Sequence, residues 1–128
     1  MRQVGILAAA GLYCLDHVMT RLGEDHENAK LIANTLNSIN SPAIVVDPAK
    51  VQTNMILLQV NEKIPATEVC ERFSAVQEQE KAEVGGTVKV LAWPRTENKI
   101  RLVLHCDVTQ DMARKAAAKI CYVAKGRP

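Results

Sequence analysis

Arg101 and His105 are the residues of this chain best suited by type and spacing to do chemistry, in the run Ile100-Arg101-Leu102-Val103-Leu104-His105-Cys106. The run predicts a strand from Lys99 to Cys106, and side chains alternate across a strand. Ile100, Leu102, Leu104 and Cys106 then face one side, and Arg101, Val103 and His105 the other. A guanidinium on such a face has two fates. Either it is solvated or paired with a surface Glu, as on the wet face of many antiparallel sheets, or its planar fork receives a carboxylate ligand in bidentate fashion. Burying it unpaired would cost several kcal/mol.

The other chemistry-bearing residues point to structural roles. His26 reads as a surface or capping residue of an acidic helix start, and His17 is similar; neither has partners at metal-ligand spacing. Cys14, Cys70, Cys106 and Cys121 are far apart, with no C-x-x-C pair, and read as small buried hydrophobes in a reducing compartment. Ser38, Ser41 and Ser74 lack a His-Asp arrangement nearby, no glycine-rich phosphate loop is present, and no lysine is marked as a Schiff-base former. Trp93, beside Pro94, is expected to plug the edge of the core. These residues offer a binding face and no catalytic apparatus.

The elements that must position Arg101 follow from periodicity. Residues 2–20 form an Ala- and Leu-rich helix, apolar on nearly every side and so expected to be buried all round. From Glu24 to Ile39, Ala29, Ile32, Ala33 and Leu36 make one apolar stripe, with acidic residues in the first turn. Asn40-Ser41-Pro42 ends that helix. Ala43–Val46 is a short strand, and Asn54–Val60, with its continuous Met55-Ile56-Leu57-Leu58, reads as a strand buried on both faces. Pro65 opens a helix in its first turn, with Val69, Phe73 and Val76 inward, and Gly85-Gly86 end its polar tail. Thr87–Trp93 alternates as a strand, Pro94–Asn98 turns, and Lys99–Cys106 returns antiparallel. Asp107 or Thr109 caps a last helix with Ala113, Ala116, Ala117 and Ile120 inward.

The fold class is therefore α/β of the α+β kind: a small, mostly antiparallel sheet packed by helices and preceded by one long apolar helix. Residues 1–40 form a helical lead-in and 41–128 a small domain, all within the size of one folding unit. Sixteen Lys and Arg against fourteen Asp and Glu, a net charge of +2, gather on no basic stripe, which argues against nucleic acid. The opening apolar run is too short for a membrane span and lacks a cleavage site beyond it, so it is assigned to the folded protein. With nothing before it, the run suggests that covering polypeptide upstream is missing.

Four blocks, MRQVGILAAAGLY, EDHENAKLIA, VDPAKVQTNMILLQV and KIRLVLHCDVT, resemble successive blocks of the C-terminal part of the low-specificity L-threonine aldolases, in that family's order. The resemblance implies the C-terminal domain of a fold-type I (aspartate-aminotransferase-like) pyridoxal-phosphate enzyme. Such an enzyme cleaves L-threonine or L-allo-threonine to glycine and acetaldehyde, as a cytoplasmic homotetramer. The family's cofactor lysine lies upstream of the resembling part, so this chain is expected to be silent alone and to bind no pyridoxal phosphate tightly. By motif, Arg101 corresponds to the arginine that receives the substrate carboxylate, and Arg2 lies near a cofactor phosphate across a subunit boundary. The expected partners are copies of itself or complete subunits. Val103-Leu104-His105 departs from the family's Val-Thr-His, and Glu80–Trp93 fits only loosely. The competing reading is a stand-alone ferredoxin-like binding or dimerisation module.

Overall fold

The computed structural model describes residues 2–126; Met1, Arg127 and Pro128, and with them the reading placed on Met1, lie outside the described residues. The elements run α1 (Val4–His17), α2 (Leu22–Ser38), β1 (Ile44–Val45), β2 (Met55–Val60), α3 (Ala66–Ser74), α4 (Lys81–Val84), β3 (Trp93–Thr96), β4 (Lys99–Val103) and α5 (Gln110–Lys125). The strands form one antiparallel sheet in the order β1-β2-β4-β3. The α/β class and the small antiparallel sheet thus stand as read. β2, α3 and β3 make a split β-α-β unit with β4 inserted between its strands.

Local chemistry explains the boundaries. Glu24 and Asp25 sit in the first turn of α2, where carboxylates favour the positive end of the helix dipole. The helix stops at Ser38, before Asn40 takes a φ of 46°. Thr109 caps α5, its hydroxyl accepting from the Met112 amide at 3.3 Å. Pro65 stands one position before α3, as its cap with ψ 132°, rather than inside the first turn. Gly85, with φ 81°, closes the short α4, because a left-handed residue ends a helix most readily without a Cβ.

The core lies between one face of the sheet and α2, α3 and α5. Ile56, Leu58, Ile100 and Leu102 project into it from the strands; Ile32, Leu36, Phe73 and Ile120 meet them from the helices. Each such aliphatic side chain contributes about 1.5–3 kcal/mol by burial. Helices cover one sheet face only, and this corrects the reading of β2 as buried on both sides. Ile56, Leu58 and Val60 are buried while Met55, Leu57 and Gln59 are exposed.

The predicted strand Thr87–Trp93 is also corrected. Its burial alternates as expected, with Val90 inward, but its backbone joins no strand; the Val90 amide donates instead to the Phe73 carbonyl at 3.0 Å. The ladder begins only at Trp93, opposite Arg101, and Pro94 lies within β3 rather than in the turn. An edge strand tolerates proline because one side of its backbone needs no partner.

No residue of α1 is buried, and Ile6 and Leu7 are 73% and 64% exposed, so no neighbour among the described residues covers the helix that reads as buried all round. Cys14, on α1, is exposed and Cys70 and Cys106 are half-buried; only Cys121 fits the expected buried thiol, and all four are free. The accessible surface is 8355 Å². A compact chain of its 14.1 kDa would present about 6,700 Å², and α1 together with the open sheet face accounts for the direction of the difference.

Candidate functional site

Arg101 lies in the middle strand pair of the sheet, opposite Leu57 of β2 and Trp93 of β3, on the face that no helix covers. Its side is the one alternation predicts: Ile100 and Leu102 are buried, Arg101 is half-buried, and Lys99 and Val103 are exposed. Apolar side chains flank it, from Met55, Leu57, Leu91, Trp93 and Val103, and the concavity on its β2 side also carries Asp47, Lys50 and Arg95. Among the described residues no carboxylate pairs with it, so the surface-Glu reading of Arg101 finds no partner here. A half-desolvated guanidinium with open donors is suited to a carboxylate.

The segment after Arg101 is fastened by side chains from three distant parts of the chain. Asn54 Nδ2 donates to the Leu104 carbonyl at 2.6 Å, and the Leu104 amide donates to the Asn54 carbonyl at 2.9 Å. Arg21 Nη2 reaches the Cys106 carbonyl at 2.7 Å, and Asn28 Nδ2 the Val108 carbonyl at 3.0 Å. Asn54 belongs to the VQTN motif and Asn28 to DHENA. Both motifs therefore act as clamps on the strand end that carries Arg101.

His105 does not join Arg101. β4 ends at Val103, and His105 lies beyond it against a separate concavity lined by Val88, Val90 and Met112. Its Nδ1 lies 3.4 Å from the Asp107 amide and 3.5 Å from Asp107 Oδ2, both side chains being exposed. Arg2 is exposed, one residue before the left-handed Gln3 that starts α1, and takes no part in the Arg101 concavity. Trp93, expected to plug the core edge, is 63% exposed and stands beside Arg101 on the open face, because pairing with β4 places it on the same side.

The remaining candidates are occupied by structure. Ser41 donates to the Ala124 carbonyl at 2.9 Å, Ser38 to Thr35 and Ser74 to Glu71. His17 packs against Tyr13 in a tilted arrangement, with ring centroids 4.4 Å apart and planes at 53°, and His26 is half-buried on α2. Burial pushes the Cys70 and Cys121 thiols up, disfavouring the thiolate. Among the described residues no group of three or more His, Cys, Asp or Glu is placed to hold a metal ion. No helix there is long and apolar enough to cross a membrane.

One charged cluster escaped the reading of the sequence. Glu80 and Lys119, both fully buried, form an ion pair; Lys119 Nζ also donates to the Ala75 carbonyl at 2.6 Å. Arg72 Nη2 binds the other Glu80 oxygen at 2.5 Å, and its guanidinium lies 5.7 Å from the centre of the Tyr122 ring. Burial raises the Glu80 carboxyl, but hydrogen bonds from Lys119, Arg72 and the Gln77 amide outweigh it and hold the group below the usual carboxylate range. The cluster ties α3 and α4 to α5 on the helical side of the molecule. Glu80 lies in the charged run Glu78-Gln79-Glu80-Lys81, which reads as a solvated surface, and nothing local marks its burial.

Residues 1–62 match the family model described as beta-eliminating lyase. The chain is 36% identical over 118 residues to the low specificity L-threonine aldolase of Escherichia coli K12, covering 92% of this chain. It is 34% and 32% identical to the probable low-specificity L-threonine aldolase 2 and the low-specificity L-threonine aldolase 1 of Arabidopsis thaliana, over 85% of this chain in each case. It spans 29% of the length of the bacterial relative and 27% of each plant one. The chain is thus similar over its first half to the beta-eliminating lyases, and over most of its length to about a quarter of a low-specificity L-threonine aldolase.

Proposed function

We propose that this chain is the C-terminal, substrate-gripping part of a threonine aldolase-like lyase, with residues 41–128 as the small domain of a fold-type I pyridoxal-phosphate enzyme and 1–40 as its lead-in. The observation that carries the proposal is Arg101: a half-buried guanidinium on an uncovered sheet face, with no ion-pair partner among the described residues, the one carboxylate of its hollow, Asp47, being paired with Lys50. Its role is to bind the α-carboxylate of L-threonine or L-allo-threonine and so fix the substrate's orientation. The aldol cleavage to glycine and acetaldehyde, the cytoplasmic setting and the homotetramer come with the family kinship. Arg2 approaches a cofactor phosphate only in that assembly. The bare α1 and the open sheet face are the surfaces that the rest of such an enzyme would cover.

Pyridoxal phosphate needs a free amine for covalent attachment, and the lysines nearest to qualifying do not fit. Lys119 is locked to Glu80 and the Ala75 carbonyl, and Lys50, beside the Arg101 concavity, pairs with Asp47 at 3.2 Å. No step through the cofactor is assigned to this chain; the cofactor's electron-sink chemistry belongs to the complete enzyme.

Two experiments test the proposal. The purified chain with pyridoxal phosphate and L-threonine should release no acetaldehyde, and turnover abolished by a lysine substitution would refute its silence. In a chimera carrying this segment in place of the matching part of the bacterial relative, Arg101→Ala should raise KM by about 10- to 100-fold, the equivalent of a charge-assisted hydrogen-bond pair. Unchanged kinetics would sink the assignment. The second reading, a ferredoxin-like binding or dimerisation module, draws on the split β-α-β unit, and fold alone does not select it. Stable self-association that buries α1, without any aldolase partner, would favour it.

A further inference from the structure

Thr87–Ala92 leads into β3, and a ladder continued from Trp93 opposite Arg101 would set Leu91 opposite Val103 and Lys89 opposite His105. Among the described residues no backbone hydrogen bond joins either pair. Gly85 and Gly86, with φ of 81° and 123°, turn the chain into this segment, and the Val90 amide bonds the Phe73 carbonyl instead of β4. The seam left open is a hollow of about 480 Å³, within the size range of small-molecule sites. Its walls are aliphatic: Val88 and Leu91 on one side, Leu104 on the other, and Met112 and Ala116 of α5 between them. Leu91 and Met112 stay exposed there. Among the described residues no carboxylate lines it, while Lys89, Lys115 and His105 do. Lys115 is paired with Asp111 at 2.7 Å and His105 lies against Asp107, whereas Lys89 makes no ion pair among the described residues.

From this we infer that the open seam is a second ligand site, one that takes an amphipathic monoanion of the medium-chain monocarboxylic acid class. The alkyl chain lies between α5 and the end of β4, and the carboxylate stays at the rim with Lys89. Aliphatic walls without a phenyl or indole ring to stack on suit an alkyl chain. A single free ammonium suits one negative charge; a neutral ligand would leave it unused. Leu91 and Val103 wall both this hollow and the recess beside Arg101. Binding in the seam nonetheless needs no contact with Arg101, which does not line it.

The test titrates the full chain with octanoate, hexanoate or octanamide at matched ionic strength, followed by backbone NMR shifts. Octanoate should saturate one site with a Kd below about 1 mM, and about 10- to 15-fold more tightly than hexanoate, the increment of two buried methylenes. Octanamide, of the same length but uncharged, should bind about two- to fivefold more weakly than octanoate, as for one solvent-screened ion pair. The shifts should centre on residues 87–91, 102–105 and 112–116. Lys89→Gln, at an exposed position that the fold does not need, should bring octanoate and octanamide together and keep the preference over hexanoate. Ala116→Phe, which fills the hollow, should weaken octanoate at least about 10-fold; Met112→Trp narrows the same space from a half-exposed position and should act alike if the first variant fails to fold. Arg101→Ala should leave octanoate binding unchanged. Shifts confined to α1, or binding that survives both filling variants, would reduce the effect to adsorption on exposed apolar surface and overturn the inference. Loss of octanoate binding in Arg101→Ala would move the ligand to the Arg101 recess and overturn it too, without harm to the reading of Arg101. Equal affinities for octanoate and octanamide, or for octanoate and hexanoate, or no saturation, would each overturn it as well.

Discussion

Replacing Lys119 with Met should destabilise the chain by about 3–5 kcal/mol, as expected when one partner is removed from a buried ion pair. The magnitude follows from what the ammonium leaves behind. The Ala75 carbonyl loses the donor now at 2.6 Å, and an unsatisfied buried acceptor costs about 1–3 kcal/mol. Glu80, 1% exposed, keeps a single cationic partner, Arg72 at 2.5 Å, instead of two. The methionine recovers part of the packing of the lysine stem, which keeps the loss near the stated range. Urea unfolding followed by circular dichroism should show the midpoint falling by about 2 M at a typical slope for a domain of this size. Glu80→Gln tests the other partner. Because the two residues touch, the double variant should cost less than the sum of the singles, by about 1–3 kcal/mol. The folded state holds Glu80 below its ordinary range. Its contribution is therefore complete above the unfolded value of about 4.3 and is lost as pH falls through the folded value. The stability gap between the wild-type chain and Glu80→Gln should accordingly narrow below about pH 4. A Lys119→Met loss under about 1 kcal/mol, or a gap that ignores pH, would refute the buried-pair account.

Adjacent residues of β2 should behave oppositely. Leu58→Ala should cost about 2–5 kcal/mol, while Leu57→Ser on the open face should stay within about 0.5 kcal/mol; equal losses would contradict the one-sided sheet. Thr109→Ala removes the α5 cap and should cost about 1 kcal/mol in denaturant unfolding. Gly85→Ala forces a Cβ onto a left-handed residue that meets only the Lys115 side chain at 4.0 Å, so backbone strain alone should cost about 1–2 kcal/mol, and a stabilised variant would show that the φ of 81° is not kept.

Arg101 was readable from the sequence because alternation is a local rule: two buried neighbours, Ile100 and Leu102, oblige the residue between them to face away. The order of the longer elements was readable for the same kind of reason, with α2 and α5 each carrying one apolar stripe, but the single helix read from Pro65 to Gly85 is broken into α3 and α4. What escaped depends on contacts far along the chain. Nothing in Glu78-Gln79-Glu80-Lys81 announces that Glu80 meets a lysine 39 residues later. Met55-Ile56-Leu57-Leu58 is apolar on both sides, and only the arrangement of whole helices decides that one side stays bare. Thr87–Ala92 has a strand's alternation without a strand's hydrogen bonds, because its backbone is taken up by Phe73 rather than by β4. Arg95 falls where the β3–β4 register slips between Pro94 and Thr96, which no residue pattern marks.

Trp93 gives the exposed sheet face an optical consequence. It is the single tryptophan of the chain, and it stands across the ladder from Arg101, 63% exposed as a residue. All of the chain's indole emission therefore originates within one residue pair of Arg101, the proposed carboxylate receiver. Any acid, cofactor or protein surface that closes over that face must dehydrate the ring and move its spectrum, so occupancy can be followed by intrinsic fluorescence with no dye attached and no residue altered.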